Sequence, residues 1–161
     1  MNGDIQQEFL DYCEWGDIDK AKDLLKDPRF DPSGDNNYAI RYASYYGHLE
    51  VVRELLKDPH IDPSDGYNQA IRISSMYGHI DVVKELLKDP RVDPSVYNNY
   101  AIKHSSENGH SDVLKELLKN PRIDKQKLLD SNIKNKLRNE VLEYLNEVRD
   151  KFIDRVLDTD I

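Results

Sequence analysis

Three consecutive 31-residue segments of this chain are near copies of one another, and that period constrains the fold more than anything else in the sequence. Residues 27–57 read DPRFDPSGDNNYAIRYASYYGHLEVVRELLK, residues 58–88 read DPHIDPSDGYNQAIRISSMYGHIDVVKELLK, and residues 89–119 read DPRVDPSVYNNYAIKHSSENGHSDVLKELLK. A unit this short cannot bury its own apolar face, so tandem copies stack and build a continuous, thin core. The thinness suits a chain of 161 residues that is only 38% apolar, below the usual share for a globular domain.

Each unit parses into the same pieces. Asn37, Asn68 and Asn99 are placed as N-caps of a short helix that begins Tyr38-Ala39-Ile40, Gln69-Ala70-Ile71 and Tyr100-Ala101-Ile102, and that stops at Gly47, Gly78 and Gly109. A second helix follows, with Leu49, Val52, Leu55 and Leu56 at helical spacing, and Ile80, Val83, Leu86 and Leu87 as equivalents one unit on. The Lys-Asp-Pro step ends it, because a residue before proline is pushed out of the α region. Asp-Pro-Ser then marks a turn, and one apolar residue per connector, Phe30, Ile61, Val92 and Ile123, is placed to pin that turn onto the helices.

This grammar resembles the ankyrin repeat. The carrying residues are the helix openings YAIR, QAIR and YAIK, the small pairs Ala43-Ser44, Ser74-Ser75 and Ser105-Ser106, and the Gly-His steps Gly47-His48, Gly78-His79 and Gly109-His110. The second-helix runs EVVRELLK, DVVKELLK and DVLKELLK complete the pattern, over about residues 5–124. The resemblance implies an all-α solenoid of stacked helix-turn-helix units with helical caps. The family's Thr-Pro helix opening is absent, and the connector is short of the usual period, which leaves open whether the connectors form β-hairpins. The short DPxxDPS units further resemble ankyrin-type repeats of giant DNA viruses of amoebae.

The ends depart from the period. Residues 1–26 keep Gly16 and Leu24-Leu25 in register but carry seven acids against three bases, a polar N-terminal capping half-repeat. Residues 27–124 hold three repeats and the start of a fourth connector. Residues 125–161 form a C-terminal helical cap, with Ile133, Leu137, Val141, Leu145, Val148, Phe152 and Val156 at three- and four-residue steps. Leu142, Ile153 and Leu157 widen that stripe beyond a heptad seam, which suits docking on the last repeat. The alternative is a helix that self-associates and makes the protein a structural building block.

Candidate chemistry gives way to packing in each case. His48, His79 and His110 recur once per unit, roughly 8–10 Å apart in a stack, whereas ligands of one zinc ion lie about 2 Å from it; each is expected to bond loop backbone at its own Gly-His turn. His60 and His104 have no cysteine or acid at ligand spacing. Ser44, Ser75 and Ser106 sit four residues before those histidines, but a nucleophile needs one assembled site rather than three identical ones. The Asp-Pro carboxylates read as turn initiators. No phosphate-cradling glycine loop is present, so the expectation is a non-enzymatic protein without metal or cofactor.

Positions that vary while the scaffold repeats are free to meet a partner. By the family resemblance, the two residues before each Gly-His glycine lie at the target-facing end of the first helix: Tyr45-Tyr46, Met76-Tyr77 and Glu107-Asn108. One step earlier come Tyr42, Ile73 and His104, and the connectors add Gly34, Asp35, Tyr67 and Tyr97. Tyrosine gives large contact area at low entropy cost and methionine adapts its shape, so the set suits binding of another protein. The stripe runs from aromatic in the first full repeat to polar in the third, which anchors a partner towards the N-terminal half.

Net charge is −8, which argues against gripping a nucleic-acid backbone. One basic stretch stands out, Arg122, Lys125, Lys127, Lys134, Lys136 and Arg138, and reads as a solvated helix face. A single cysteine, Cys13, the lack of a basic-then-apolar start, and the lack of a long apolar run predict a reducing compartment, the cytoplasm (a host cell's, if the viral resemblance holds), and no membrane. A monomer is expected over a homo-oligomer.

Overall fold

The structure is a computed structural model that describes residues 2–130 and 135–158. Among the described residues the secondary structure is helical throughout, with no strand: α1 (Asn2–Trp15), α2 (Ile18–Leu24), α3 (Gly34–Tyr46), α4 (Leu49–Leu55), α5 (Asp65–Met76), α6 (Ile80–Leu86), α7 (Val96–Glu107), α8 (Ser111–Leu118), α9 (Lys125–Asp130) and α10 (Asn135–Asp158). First helices pack on first helices, α1 on α3, α3 on α5 and α5 on α7, while α2, α4, α6 and α8 form a second layer behind them. The chain is therefore an all-α solenoid, and its connectors are turns rather than β-hairpins among the described residues.

Each pair folds back at a glycine. Gly47, Gly78 and Gly109 adopt φ of 76°, 77° and 79°, the left-handed conformation that ends a helix. The histidine N–H that follows closes the motif on the Ala43, Ser74 or Ser105 carbonyl, at 2.9, 2.9 and 2.8 Å. The core is one layer repeated: Ile40, Ile71 and Ile102 from the first helices, and Val52-Leu55, Val83-Leu86 and Leu114-Leu117 from the second, are all buried. Each such side chain contributes roughly 1.5–3 kcal/mol. Phe30, Ile61, Val92 and Ile123 are buried beneath their connectors, as the spacing predicts.

The Asp-Pro turns are built by their carboxylates. Asp27 Oδ1 accepts from the Arg29 N–H at 2.9 Å, and Asp58 and Asp89 do the same for His60 and Arg91. In the second half of the connector Asp31, Asp62 and Asp93 each accept from the Ser33, Ser64 or Ser95 N–H and hydroxyl. The Arg29 guanidinium and N–H hold the Asp27 carboxyl down from 3.8 to about 2, and Asp58 and Asp89 are likewise lowered, by the His60 N–H and by Arg91. A carboxylate depressed in the folded state releases its proton sooner there than in the unfolded chain. Its contribution is complete above about pH 4 and is lost as pH falls towards 2. Thermal melts should thus be flat from pH 7 to about 5 and decline below pH 4; because these groups face solvent, the decline is modest at each.

Two expectations of the sequence are corrected, both in the same direction. Asn37 lies in the left-handed first turn of α3, before its right-handed part, and does not cap it: its Nδ2 donates to Asp65 Oδ2 at 2.9 Å and its Oδ1 accepts from the Asp62 N–H at 2.9 Å. Asn68 reaches the Asp93 N–H in the same way, at 2.7 Å. These amides tie one connector to the next. The Gly-His histidines also reach across: the Nε2–H groups of His48, His79 and His110 donate to the carbonyls of Cys13, Tyr45 and Met76 in the preceding unit, not to their own turn.

Before each first helix turns right-handed, three residues run left-handed: Asp35-Asn36-Asn37, Gly66-Tyr67-Asn68 and Tyr97-Asn98-Asn99, with φ between 48° and 59°. Asn, Asp and Gly tolerate this region, whereas Tyr67 and Tyr97 carry a cost on the order of 1–2 kcal/mol each. Their rings meet at 5.5 Å, and the Arg72 guanidinium lies 4.4 Å from the Tyr97 centroid.

At the C-terminal end α10 packs on α7, α8 and α9. Leu137 and Val141 are buried there, Glu140 accepts from the Ser106 hydroxyl, and Lys115 pairs with Glu147 at 2.7 Å. Leu142 does not join this face; it is exposed, as is Val148. Ile133 and Lys134 lie outside the described residues, as do the side chains of Phe152, Ile153, Val156 and Leu157. The basic stretch is only partly a solvated face, since Arg122 donates to the Val92 and Pro90 carbonyls and Lys136 to that of Ser106.

Candidate interaction face

The C-terminal ends of α3 and α5 bring the variable aromatic residues together. Because α3 ends at Tyr46 and α5 at Met76, Tyr42, Tyr45 and Tyr46 fall within one turn, and Tyr77 lies one unit further on. Tyr45 is the hub: its ring lies 4.7 Å from Tyr46 and 4.8 Å from Tyr77, both near edge-to-face. Tyr42 joins at 5.9 Å from Tyr46 and 6.5 Å from Tyr45. Edge-to-face pairs add about 0.5–1.5 kcal/mol beyond burial, so the rings hold one another in place. Even so, Tyr42, Tyr45 and Tyr77 remain 39%, 37% and 43% exposed, which in a chain of thin core is apolar surface left uncovered.

Between α3 and α5, Tyr42, Tyr45 and Tyr46 border a groove of about 260 Å³ that is also lined by the apolar Tyr38 and Ile73 and the polar Arg41 and Gln69. Arg41 is spoken for, with Nη1 donating to Gln69 Oε1 at 2.8 Å and Nη2 to the Asp35 carbonyl at 2.7 Å. Beneath, Phe9, Phe30 and Tyr38 pack ring to ring. Tyr45 beside it raises the Tyr77 phenol above its ordinary value; partial burial, then the Glu14 charge, raise that of Tyr46.

The third unit is different. His104 stacks within 3.9 Å of Tyr100 and contacts Glu107 at 3.2 Å, and Asn108 Nδ2 donates to the Met76 carbonyl at 2.9 Å. His104 and Glu107 are thus engaged within α7, and only Asn108 reaches the preceding unit. Met76 is half-buried, its sulfur receiving the Tyr100 hydroxyl at 3.5 Å. Tyr67 stands exposed beside Tyr97 on the connector edge, with Gly34 and Asp35 on the first connector.

One exposed aromatic lies outside the residues that the repeat pattern singles out. Trp15, 71% exposed, ends α1 directly before Gly16, whose φ is 75°. Counting back 31 residues from Tyr45 and Tyr46 lands on Glu14 and Trp15, a signal present in the sequence but masked by the polar composition of the cap.

The remaining polar groups are structural. Ser44 and Ser75 are buried between units, and burial alone pushes the Cys13 thiol up to about 12, so it is protonated and inert at neutral pH. Among the described residues no three His, Cys, Asp or Glu side chains converge on a point that could hold a metal ion, and no helix is long and apolar enough to cross a membrane.

A family model described as ankyrin repeats (3 copies) matches residues 9–98 and 41–128, which together span well over half of the chain. No curated protein matches the sequence.

Proposed function

Because the chain belongs to the ankyrin repeat family, whose members are in general non-enzymatic modules of protein–protein interaction, we propose that it is a scaffold or adaptor that binds another protein on its first-helix face. The observation that carries this reading is the cluster of exposed Tyr42, Tyr45 and Tyr77 with half-buried Tyr46, three of which (Tyr42, Tyr45 and Tyr46) line one groove. Ile73 lines the groove and half-buried Met76 adds adaptable apolar surface beside it; Tyr67 marks the connector rim; His104, Glu107 and Asn108 lie at the polar, weaker end. The protein acts as a monomer without metal or cofactor, and the resemblance to giant-virus repeats makes a host protein of the cytoplasm the candidate partner.

The organisation that goes with this reading is a capping half-repeat over residues 1–26, three repeats over 27–124 and a helical cap over 125–161. Burial of Leu137 and Val141 against the last repeat supports a cap. Among the described residues, self-association through α10 has the exposed large apolar side chains Leu142 and Val148 to draw on.

Hot-spot aromatics carry most of an interface's energy. Replacing Tyr45, Tyr46, Met76 and Tyr77 together by alanine should reduce capture of the native partner at least tenfold in affinity purification from the native cell, with an unchanged circular dichroism spectrum. Equal capture by the variant and the parent would remove this face from the interface.

A further inference from the structure

We propose that the aromatic band extends onto the first unit through Trp15 and Glu14, and that it receives a cationic segment of the partner, one presenting arginine or lysine to the tyrosine rings. This rests on the first-helix reading above and adds the partner's chemistry.

The extension follows from the offset that builds the rest of the band. Tyr45 meets Tyr77 across 32 residues, and the same step carries Glu14 to Tyr46. Glu14 is exposed on α1, the helix that packs on α3, and the Tyr46 phenol feels its charge, in keeping with that register. Trp15 therefore stands where Tyr46 stands in the next unit, and its ring is the most exposed of the row.

The sign of the partner comes from what the band lacks. Further along the stack the same kind of ring already holds a cation, since the Arg72 guanidinium lies 4.4 Å from the Tyr97 centroid and 5.1 Å from that of Tyr100. Among the described residues no lysine or arginine lies over Tyr42, Tyr45, Tyr46 or Tyr77. A cation over a tyrosine face is attracted by the ring quadrupole, and an exposed carboxylate beside it adds to the pull.

The surrounding charge agrees. Residues 1–26 carry seven acids against three bases, and two of those bases are taken, Lys20 by Asp17 at 2.8 Å and Lys26 by Asp23 at 2.8 Å. Glu14 makes no ion pair among the described residues, and Asp11, one turn back, accepts only the Gln7 amide. Arg41 lines the groove and keeps its charge, since both terminal nitrogens donate to neutral acceptors, Gln69 Oε1 and the Asp35 carbonyl; its repulsion directs an arriving cation to the cap side of the band, away from the groove.

Trp15 is the single tryptophan of the chain, so its fluorescence reports on the band directly. The test titrates the full chain with three short peptides that differ only at two guest positions, filled by arginine, glutamine or glutamate. The arginine peptide should change the Trp15 signal at sub-millimolar concentration and weaken several-fold between about 50 and about 300 mM salt; the glutamine peptide should be at least tenfold weaker and the glutamate peptide silent. Glu14→Gln should cost the arginine peptide roughly 3–10-fold and flatten its salt dependence, and Tyr45→Ala with Tyr77→Ala about tenfold or more, with the circular dichroism spectrum unchanged.

Binding of the glutamate or glutamine peptide as tight as that of the arginine peptide overturns the assignment. So does silence from all three, or arginine binding that neither variant disturbs. If the arginine peptide fails while the quadruple alanine variant still loses its native partner, the face binds and only its cationic preference falls.

Discussion

Gly78→Ala should destabilise the protein by about 3 kcal/mol, and Gly109→Ala by about 1 kcal/mol, although both glycines occupy the same place in their units. The backbone cost is common to them: φ is 77° at one and 79° at the other, and a side chain in that region costs on the order of 1 kcal/mol. The difference is packing between units. A Cβ on Gly78 would lie 2.5 Å from His110 Nδ1, whereas one on Gly109 meets nothing within 4 Å. To make room His110 must shift, and its part-buried bond to the Met76 carbonyl at 3.1 Å goes with it; that carbonyl keeps the Asn108 amide, so the lost bond and the displaced ring's packing together add roughly 1–2 kcal/mol.

Urea denaturation of the two variants and of the double variant Gly78→Ala/His110→Ala measures this directly. With the ring gone the alanine no longer collides, so the two substitutions should couple by about 1–2 kcal/mol. Equal losses at Gly78 and Gly109, within about 0.5 kcal/mol, would mean that the histidine is not wedged over the preceding glycine. Gly47, where an added Cβ would lie 2.5 Å from His79 Nδ1, should behave like Gly78.

That contrast also separates what could be read in the sequence from what could not. The period, the helix pairs, the left-handed glycines and the connector pins Phe30, Ile61, Val92 and Ile123 are written inside each unit, where local rules for turns and apolar spacing decide them. The partners of Asn37, Asn68, His48, His79 and His110 are not. An asparagine before a helix and a histidine after a glycine satisfy a local explanation, the cap and the turn, as well as a distant one. In a tandem repeat the two predict the same recurrence, so periodicity cannot choose between them. Only the stack does, by placing an open N–H of the next connector and an open carbonyl of the preceding helix within reach.

The candidate face was legible as variation against a constant scaffold, which picked out Tyr42, Tyr45, Tyr46, Met76 and Tyr77. It could not separate side chains left open to a partner from those already engaged within the protein. His104 and Asn108 vary as freely as the tyrosines, yet they are engaged with Tyr100 and with the Met76 carbonyl. Trp15 was hidden for the opposite reason: the acids around it made the first unit read as a solubilising cap.

At the other end of the stack, Val141→Asp should cost about 4 kcal/mol, while Leu142→Asp should change stability by no more than about 0.5 kcal/mol. The two residues are adjacent and the new charge is the same, but neighbours on a helix point about 100° apart. Val141 is fully buried against the last repeat, whereas Leu142 is 41% exposed. An unpaired carboxylate in place of Val141 either loses its hydration or forces α10 off its seat. The second outcome also breaks the contacts of Glu140 with Ser106 and of Glu147 with Lys115, and uncovers Leu137. Urea denaturation gives the energies, and light scattering of both variants decides between the two readings of the helix. A cap predicts a monomeric parent, a weakened Val141→Asp and an unaffected Leu142→Asp. A self-associating helix predicts a parent of higher mass that falls when Leu142, on the outward face, is charged. Because the inward residues Leu137 and Val141 of α10 are already buried on the stack, the first pattern is the expected one.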